Sequence, residues 1–300
     1  EQVCAEEERR SIDRKNAYLL IVPALAIMGA FTVYPLVEGI KLAFTNANML
    51  RSTYTYIGLG NFAQMLRDRV FWLALRHSVV LTVVVVFLQL VFGLILAWAM
   101  KQQVPGMSAF KSVIMASWVI PVAATVTIFK FMAQPDVGFI NMMLRSIGLD
   151  RLVRYWFGDP STAFICIILL HLWRNVPFYG ITFLAAMQTI PDSLYESAEI
   201  DGASPLQSFW HITLPGISHM IMVMVTIHVL WTFNNFDFIH LATGRGPVDS
   251  TQVLPVYVYR QSWDRYAAGY GASIGTVMLL LLAVYFVVYL LIQRKGEYER

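Results

Sequence analysis

Three stretches of this chain, Ala17 to Val37, Ser78 to Met100 and Gly271 to Ile292, pass without a single Asp, Glu, Lys or Arg. A helix needs roughly 20 residues at about 1.5 Å each to cross ~30 Å of hydrocarbon, and each stretch is long enough. Gly216 to Phe236 adds a fourth, whose ionisable side chains are His219 and His228. Ser112 to Phe129 is shorter and equally uncharged, and Ser161 to Met187 is long but interrupted by Arg174. The pattern predicts an all-α polytopic membrane protein with six transmembrane helices. Composition agrees, since 14% of residues are charged where a soluble domain carries about a quarter.

The run from Ala17 follows Arg9, Arg10, Arg14 and Lys15. It exceeds the apolar region of a signal peptide and lacks a small-residue cleavage pattern, so it reads as a membrane span. The chain then divides into a tail at 1–16, a membrane domain at 17–292 and a second tail at 293–300. Arg14, Lys15, Lys101, Lys111, Arg294 and Lys295 sit near helix ends or in short loops, which by the positive-inside rule places both termini in the cytoplasm. Cys4 and Cys166 fit no disulfide or metal spacing. Nor do the six histidines, His77, His171, His211, His219, His228 and His240, form a ligand motif, so they read as packed or hydrogen-bonded side chains and no metal is expected. A net charge of +3 is too small to point to nucleic acid. Without paired catalytic carboxylates or a nucleophile constellation, the chain is expected to be no enzyme.

The predicted outer loops, about 45–70, 134–160 and 243–269, are rich in Pro, Gly, Asp and aromatic residues and read as ordered caps. Pro105-Gly106 marks a tight inner turn. The inner loop 188–216 differs in kind, reading as two short helices. Pro191 suits a first helical turn, Asp192 and Glu196 suit its positive end, and Gly202 supplies the stop. Ser204, Pro205 and Gln207 then form a capping box that opens the second helix. The loop carries Asp192, Glu196, Glu199 and Asp201, with no Lys or Arg between Arg174 and Arg245. Such a surface is either a solvated face or a dock for a basic partner, with Leu194, Ala198, Leu206, Phe209 and Ile212 as the apolar part of the contact.

Glu196-Ser197-Ala198, Asp201-Gly202-Ala203, Phe209, Ile212, Leu214 and Pro215 resemble the EAA loop of ABC-importer permeases, with Ser197 where Ala is usual. A second patch resembles the carbohydrate-uptake, maltose-type, binding-protein-dependent branch. It runs through Trp231, Phe233, Asn234, Phe236, Asp237 and Ile239, then Thr243-Gly244-Arg245-Gly246-Pro247, Leu254-Pro255 and Tyr257 to Tyr259. Arg245 stands where that branch usually has Gly. Tyr34-Pro35, taken as the end of the first helix, and Gly58-Leu59-Gly60-Asn61-Phe62 also fit.

The resemblance implies a bacterial or archaeal inner-membrane importer of a sugar or oligosaccharide, acidic sugar derivatives included. Its expected partners are a second, non-identical permease, an ATPase dimer that holds ATP and Mg2+, an extracytoplasmic solute-binding protein and the surrounding lipid. The chain contains no phosphate-binding G-x-x-x-x-G-K-[ST] loop, so no cofactor is expected in it. Coupling to the ATPase is implied for Glu196, Ser197, Ala198, Asp201, Gly202, Ala203, Leu206 and Phe209.

Polar side chains are costly in lipid and usually face an interior cavity. Candidate substrate contacts are therefore Trp173, Arg174, Asn175 and Tyr179 in the fourth span, Asn234, Asn235 and Asp237 at the end of the fifth, and Tyr270 and Ser273 at the start of the sixth. Arg174 and Asp237 suit equally a structural ion pair or backbone contacts, Trp173 and Trp231 interfacial anchors, and Asn234 and Asn235 interhelical packing. An ion-gradient-driven secondary transporter is the competing reading. A membrane-embedded enzyme would require Asp237 and a histidine to converge on a cleft.

Overall fold

A computed structural model describes residues 20–102 and 104–298. The predicted tail 1–16 with its basic cluster, Cys4 and the first residues of the first span lie outside the described residues. The described residues form two compact units, one taking the chain up to Arg67 with Val258–Leu279, the other taking Asp68–Tyr257 with the residues from Leu280 onward.

In the first unit, α1 (Leu20–Leu42) is long and apolar enough to cross a membrane, and no residue of its most apolar window is buried among the described residues. It does not end at Tyr34-Pro35. Proline lacks the N–H that would bond one turn back, and the chain absorbs this with a π-turn over Gly29–Val33, closed by the Tyr34 N–H on the Gly29 carbonyl, before helix resumes. Beyond α1, buried Asn61 at the start of α2 (Gly60–Arg67) donates from Nδ2 to the carbonyls of Ala43 and Thr45, each at 2.8 Å.

In the second unit, α3 (Arg69–Met100) is capped by Asp68, whose carboxylate accepts from the Val70 N–H at 2.8 Å. It begins well before the expected Ser78. Gly106, at φ +86°, then opens α4 (Met107–Val119), which is followed by α5 (Val122–Met132), α6 (Phe139–Ser146) and α7 (Ala163–Met187). The span expected over Ser112–Phe129 corresponds to a bent pair, α4 and α5, which meet at 96°. The residue before a proline is pushed out of the helical region. Ile120, at φ −59° and ψ 132°, has left the helix, and Pro121 stands just before the next one as its N-cap. Pro177 inside α7 does not interrupt that helix.

Four more helices follow in this stretch: α8 (Asp192–Ile200), α9 (Pro205–Gly216), α10 (Ser218–Phe233) and α11 (Asp237–Thr243). α9 and α10 meet at 67°. After α12 (Leu254–Tyr259), α13 (Ala268–Tyr298) supplies the last span. Among the described residues, four helices are long and apolar enough to cross a membrane, and six spans result when each bent pair counts as one. The second unit is built on α3 packed along α7, at a separation that glycine permits. A Cβ on Gly93 would fall 2.5 Å from that of Tyr179, and one on Gly180 would fall 2.7 Å from Leu96; small residues allow membrane helices such contact.

Candidate functional site

The segment 192–216 folds by local rules. α8 ends in a pair of reversed hydrogen bonds, from the Ala203 N–H to the Ala198 carbonyl at 2.8 Å and from the Gly202 N–H to the Glu199 carbonyl at 3.0 Å. This is the Schellman ending, and it requires a left-handed residue at Gly202, found at φ +79°. Ser204 and Gln207 complete the capping box at the next residue, the Gln207 N–H on Ser204 Oγ at 3.3 Å and the Ser204 N–H on Gln207 Oε1 at 2.7 Å. Pro191 stands just before α8 as its N-cap rather than within the first turn.

Tyr195 ties this helix pair to the rest of the unit, an anchor that sequence reasoning did not single out. Its hydroxyl pairs with Thr213 Oγ1 at 2.9 Å, and Lys101 Nζ lies 3.5 Å from its ring centroid, a cation–π distance. Asp192, Glu196, Ser197, Glu199, Asp201, Gly202 and Leu206 are exposed, while Ala198 and Ala203 are half-buried. No ion pair engages the acidic residues among the described residues. Phe209 and Ile212 pack inward on the core around Met100, Phe183 and Met187. The exposed apolar residues are Leu194, Ile200, Leu206 and Trp210, so the outward apolar set differs from the expected one.

A cavity of about 500 Å³ opens in the second unit, lined on its polar side by His171, Arg174, Asn175, His228, Thr232, Asn234, Asn235 and Asp237. Trp118, Trp231, Phe236 and Phe238 contribute aromatic faces. Five of the sequence-predicted residues thus share one wall system: Arg174, Asn175, Asn234, Asn235 and Asp237. Trp173 and Tyr179 are not among the lining. Trp173 is turned outward with its ring on Phe129, and Tyr179 is fully buried with its ring 4.4 Å from that of His228. Tyr270 and Ser273 belong to the first unit, both buried there, with Ser273 Oγ donating to the Tyr270 carbonyl at 2.7 Å.

Sequence reasoning missed His171, His228 and Trp118. Helical spacing offered a signal for the histidines. His171, Arg174 and Asn175 stand at i, i+3 and i+4 of α7, and His228, Trp231 and Thr232 repeat that stripe on α10, so each set occupies one helix face. Both histidines are 2% exposed, and neither Nε2 has a hydrogen-bond partner among the described residues.

The polar groups are held individually. Asn175 Nδ2 donates to the His171 carbonyl at 2.9 Å and Asn234 Nδ2 to the Leu230 carbonyl at 3.0 Å. Asn235 Oδ1 accepts from the Phe238 N–H at 3.2 Å, capping α11. Arg174 Nη1 donates to the Ile120 carbonyl and makes a long contact of 3.5 Å with that of Ser117. Of the two roles open to Arg174 and Asp237, backbone contact is the one found for Arg174. Asp237 is exposed, and the two form no ion pair among the described residues. Asp237 and the histidines line the same cavity, and no hydrogen bond joins them among the described residues.

Residues 89–297 match the family described as binding-protein-dependent transport system inner membrane component. The chain is 33% identical over 266 residues to the probable ABC transporter permease protein YurN of Bacillus subtilis, covering 88% of this chain and 91% of that one. It is 30% identical to the sulfoquinovosyl glycerol transport system permease protein SmoG of Agrobacterium fabrum, covering 95% and 92%. A chain in the crystal structure of a bacterial ABC transporter involved in the import of the acidic polysaccharide alginate shares the fold, with a TM-score of 0.85 at 22% identity over 95% of this chain and 98% of that one. The ion-gradient-driven reading gives way to these matches. The chain belongs to the binding-protein-dependent inner-membrane permease family of ABC importers, a multi-pass transport component and not an enzyme, in a family whose ATP is handled by a separate ATPase.

Proposed function

We propose that this permease carries a sugar or oligosaccharide, acidic sugar derivatives included, through the cavity lined by Arg174, Asn175, Asn234, Asn235 and Asp237. The observation that carries this reading is the make-up of the cavity: aromatic faces from Trp118, Trp231 and Phe236 beside amides and one carboxylate. Sugars present C–H faces that suit aromatic rings and hydroxyls that suit such donors and acceptors. The sulfoquinovosyl glycerol and alginate systems among the similar proteins support a carbohydrate cargo.

A second, non-identical permease completes the path, and an extracytoplasmic binding protein delivers the cargo. The helix pair 192–216 docks on an ATPase dimer carrying ATP and Mg2+, with Glu196, Ser197, Ala198, Asp201, Gly202, Ala203 and Leu206 near the contact and Phe209 bracing the pair from within. Both termini face the cytoplasm. Acidic side chains with no ion pair among the described residues, together with exposed Leu194, Leu206 and Trp210, support the dock.

Thermal-shift screening of the cognate binding protein against neutral and acidic sugars identifies the cargo, and a binding protein holding only a non-carbohydrate solute would overturn the sugar reading. In reconstituted complexes, Asn235→Ala and Asp237→Ala are each expected to raise the half-saturating cargo concentration about tenfold, as for one lost hydrogen bond. Unchanged affinity in both variants would remove this cavity from the path.

A further inference from the structure

Pro121 leaves two backbone carbonyls in need of donors inside an apolar region. It has no N–H for the Ser117 carbonyl four residues earlier, and the extended Ile120 carries its own carbonyl past the end of α4. Unsatisfied carbonyls at membrane depth are costly, and neighbouring side chains commonly supply the missing partners. Here the donor is Arg174 Nη1 from α7, which reaches both oxygens. A cation at this point also meets the negative end of the α4 dipole. The residues flanking the break, Trp118 and Val122, line the same cavity as Arg174, and the Trp118 ring stacks on Phe178 of α7 at 5.0 Å and 11°.

We propose that Arg174 is a positioning residue that fixes the elbow between α4 and α5, and through it the cavity wall made by Trp118 and Val122. The continuous helix α7 serves as the rigid frame, and the broken span is pinned to it by the guanidinium and by the Trp118–Phe178 stack. Arg174 thereby shapes the site whatever cargo enters it, so the inference goes beyond the sugar reading and does not depend on it.

The test uses the assembled transporter in lipid nanodiscs without cargo. Amide hydrogen exchange is followed across residues 112–129 in the unmodified protein and in Arg174→Met and Arg174→Lys. In parallel, the distance between spin labels at exposed Val113 and Ile128 reports the elbow angle. Arg174→Met is expected to accelerate exchange about tenfold around Val119–Val126 and to broaden the label distance, with residues 163–187 unchanged. Arg174→Lys, which can still donate to the Ile120 carbonyl, is expected to restore most of the protection. Unchanged exchange and distance in Arg174→Met would overturn the proposal, as would acceleration spread equally through 163–187, the mark of general packing loss. Should Arg174→Met fail to assemble, Arg174→Leu, which also lacks a donor, is judged by the same two readouts. A cargo that proves not to be a sugar leaves these outcomes untouched.

Discussion

The helix pair at 192–216 and the cavity beside the α4–α5 elbow are built on opposite plans. The pair is set by residues within a few positions of one another: Ala198 to Ala203 closes one helix and Ser204 to Gln207 opens the next. The cavity gathers its wall from distant points in the chain, such as Trp118, Arg174 and Asn235, and its elbow is held by a contact spanning 54 positions. A locally specified element keeps its shape while it moves as a body, which suits a lever. A wall assembled at long range changes shape when any of its helices shifts.

The sharpest way to break this contrast is at Gly202. Its φ of +79° is one that β-branched residues avoid, although a Cβ there would meet nothing within 4 Å. Gly202→Val is expected to abolish cargo-stimulated ATP hydrolysis in an assembled complex, since the left-handed conformation costs about 1–2 kcal/mol for such a residue and the Schellman ending is lost. Gly202→Asn, which tolerates this conformation, is expected to retain most of the coupling. Equal loss in both would show that coupling depends on the absence of any side chain at this position rather than on the backbone turn.

A smaller effect is expected at the elbow. Pro121→Ala returns an N–H to the Ser117 carbonyl and allows the span to straighten, and uptake should fall roughly fivefold while assembly persists. An unaltered spin-label distance across the elbow would shift responsibility for the bend from the proline to the surrounding helices. The smallest effect belongs to Ser204→Ala. It removes one cap worth about 1 kcal/mol, visible as faster exchange at the start of α9 with little change in uptake. A large transport defect there would mean that the pair is less self-sufficient than its hydrogen bonds suggest.

The same contrast governed what could be read in advance. Gly202, Ser204 and Gln207 announce their roles because the hydrogen bonds they make are short-range and each residue type has a conformational reason to be there. Arg174, Asn175, Asn234, Asn235 and Asp237 were legible because polarity in an apolar run is costly. His171 and His228 are not legible one at a time, because the stripe they share with Arg174 and Thr232 appears only along the helix face. The elbow is hidden because an uncharged run reports length, whereas Pro121 within it sets direction. Trp118 could be placed only once that direction was known.

The first span has a bearing on how the chain is made. No residue in the most apolar window of α1 is buried among the described residues, so this span draws little on its own chain and leans on lipid and on neighbours outside the chain. Insertion and folding are therefore separable for this segment. During synthesis it can enter the membrane as a span of its own before the importer assembles around it.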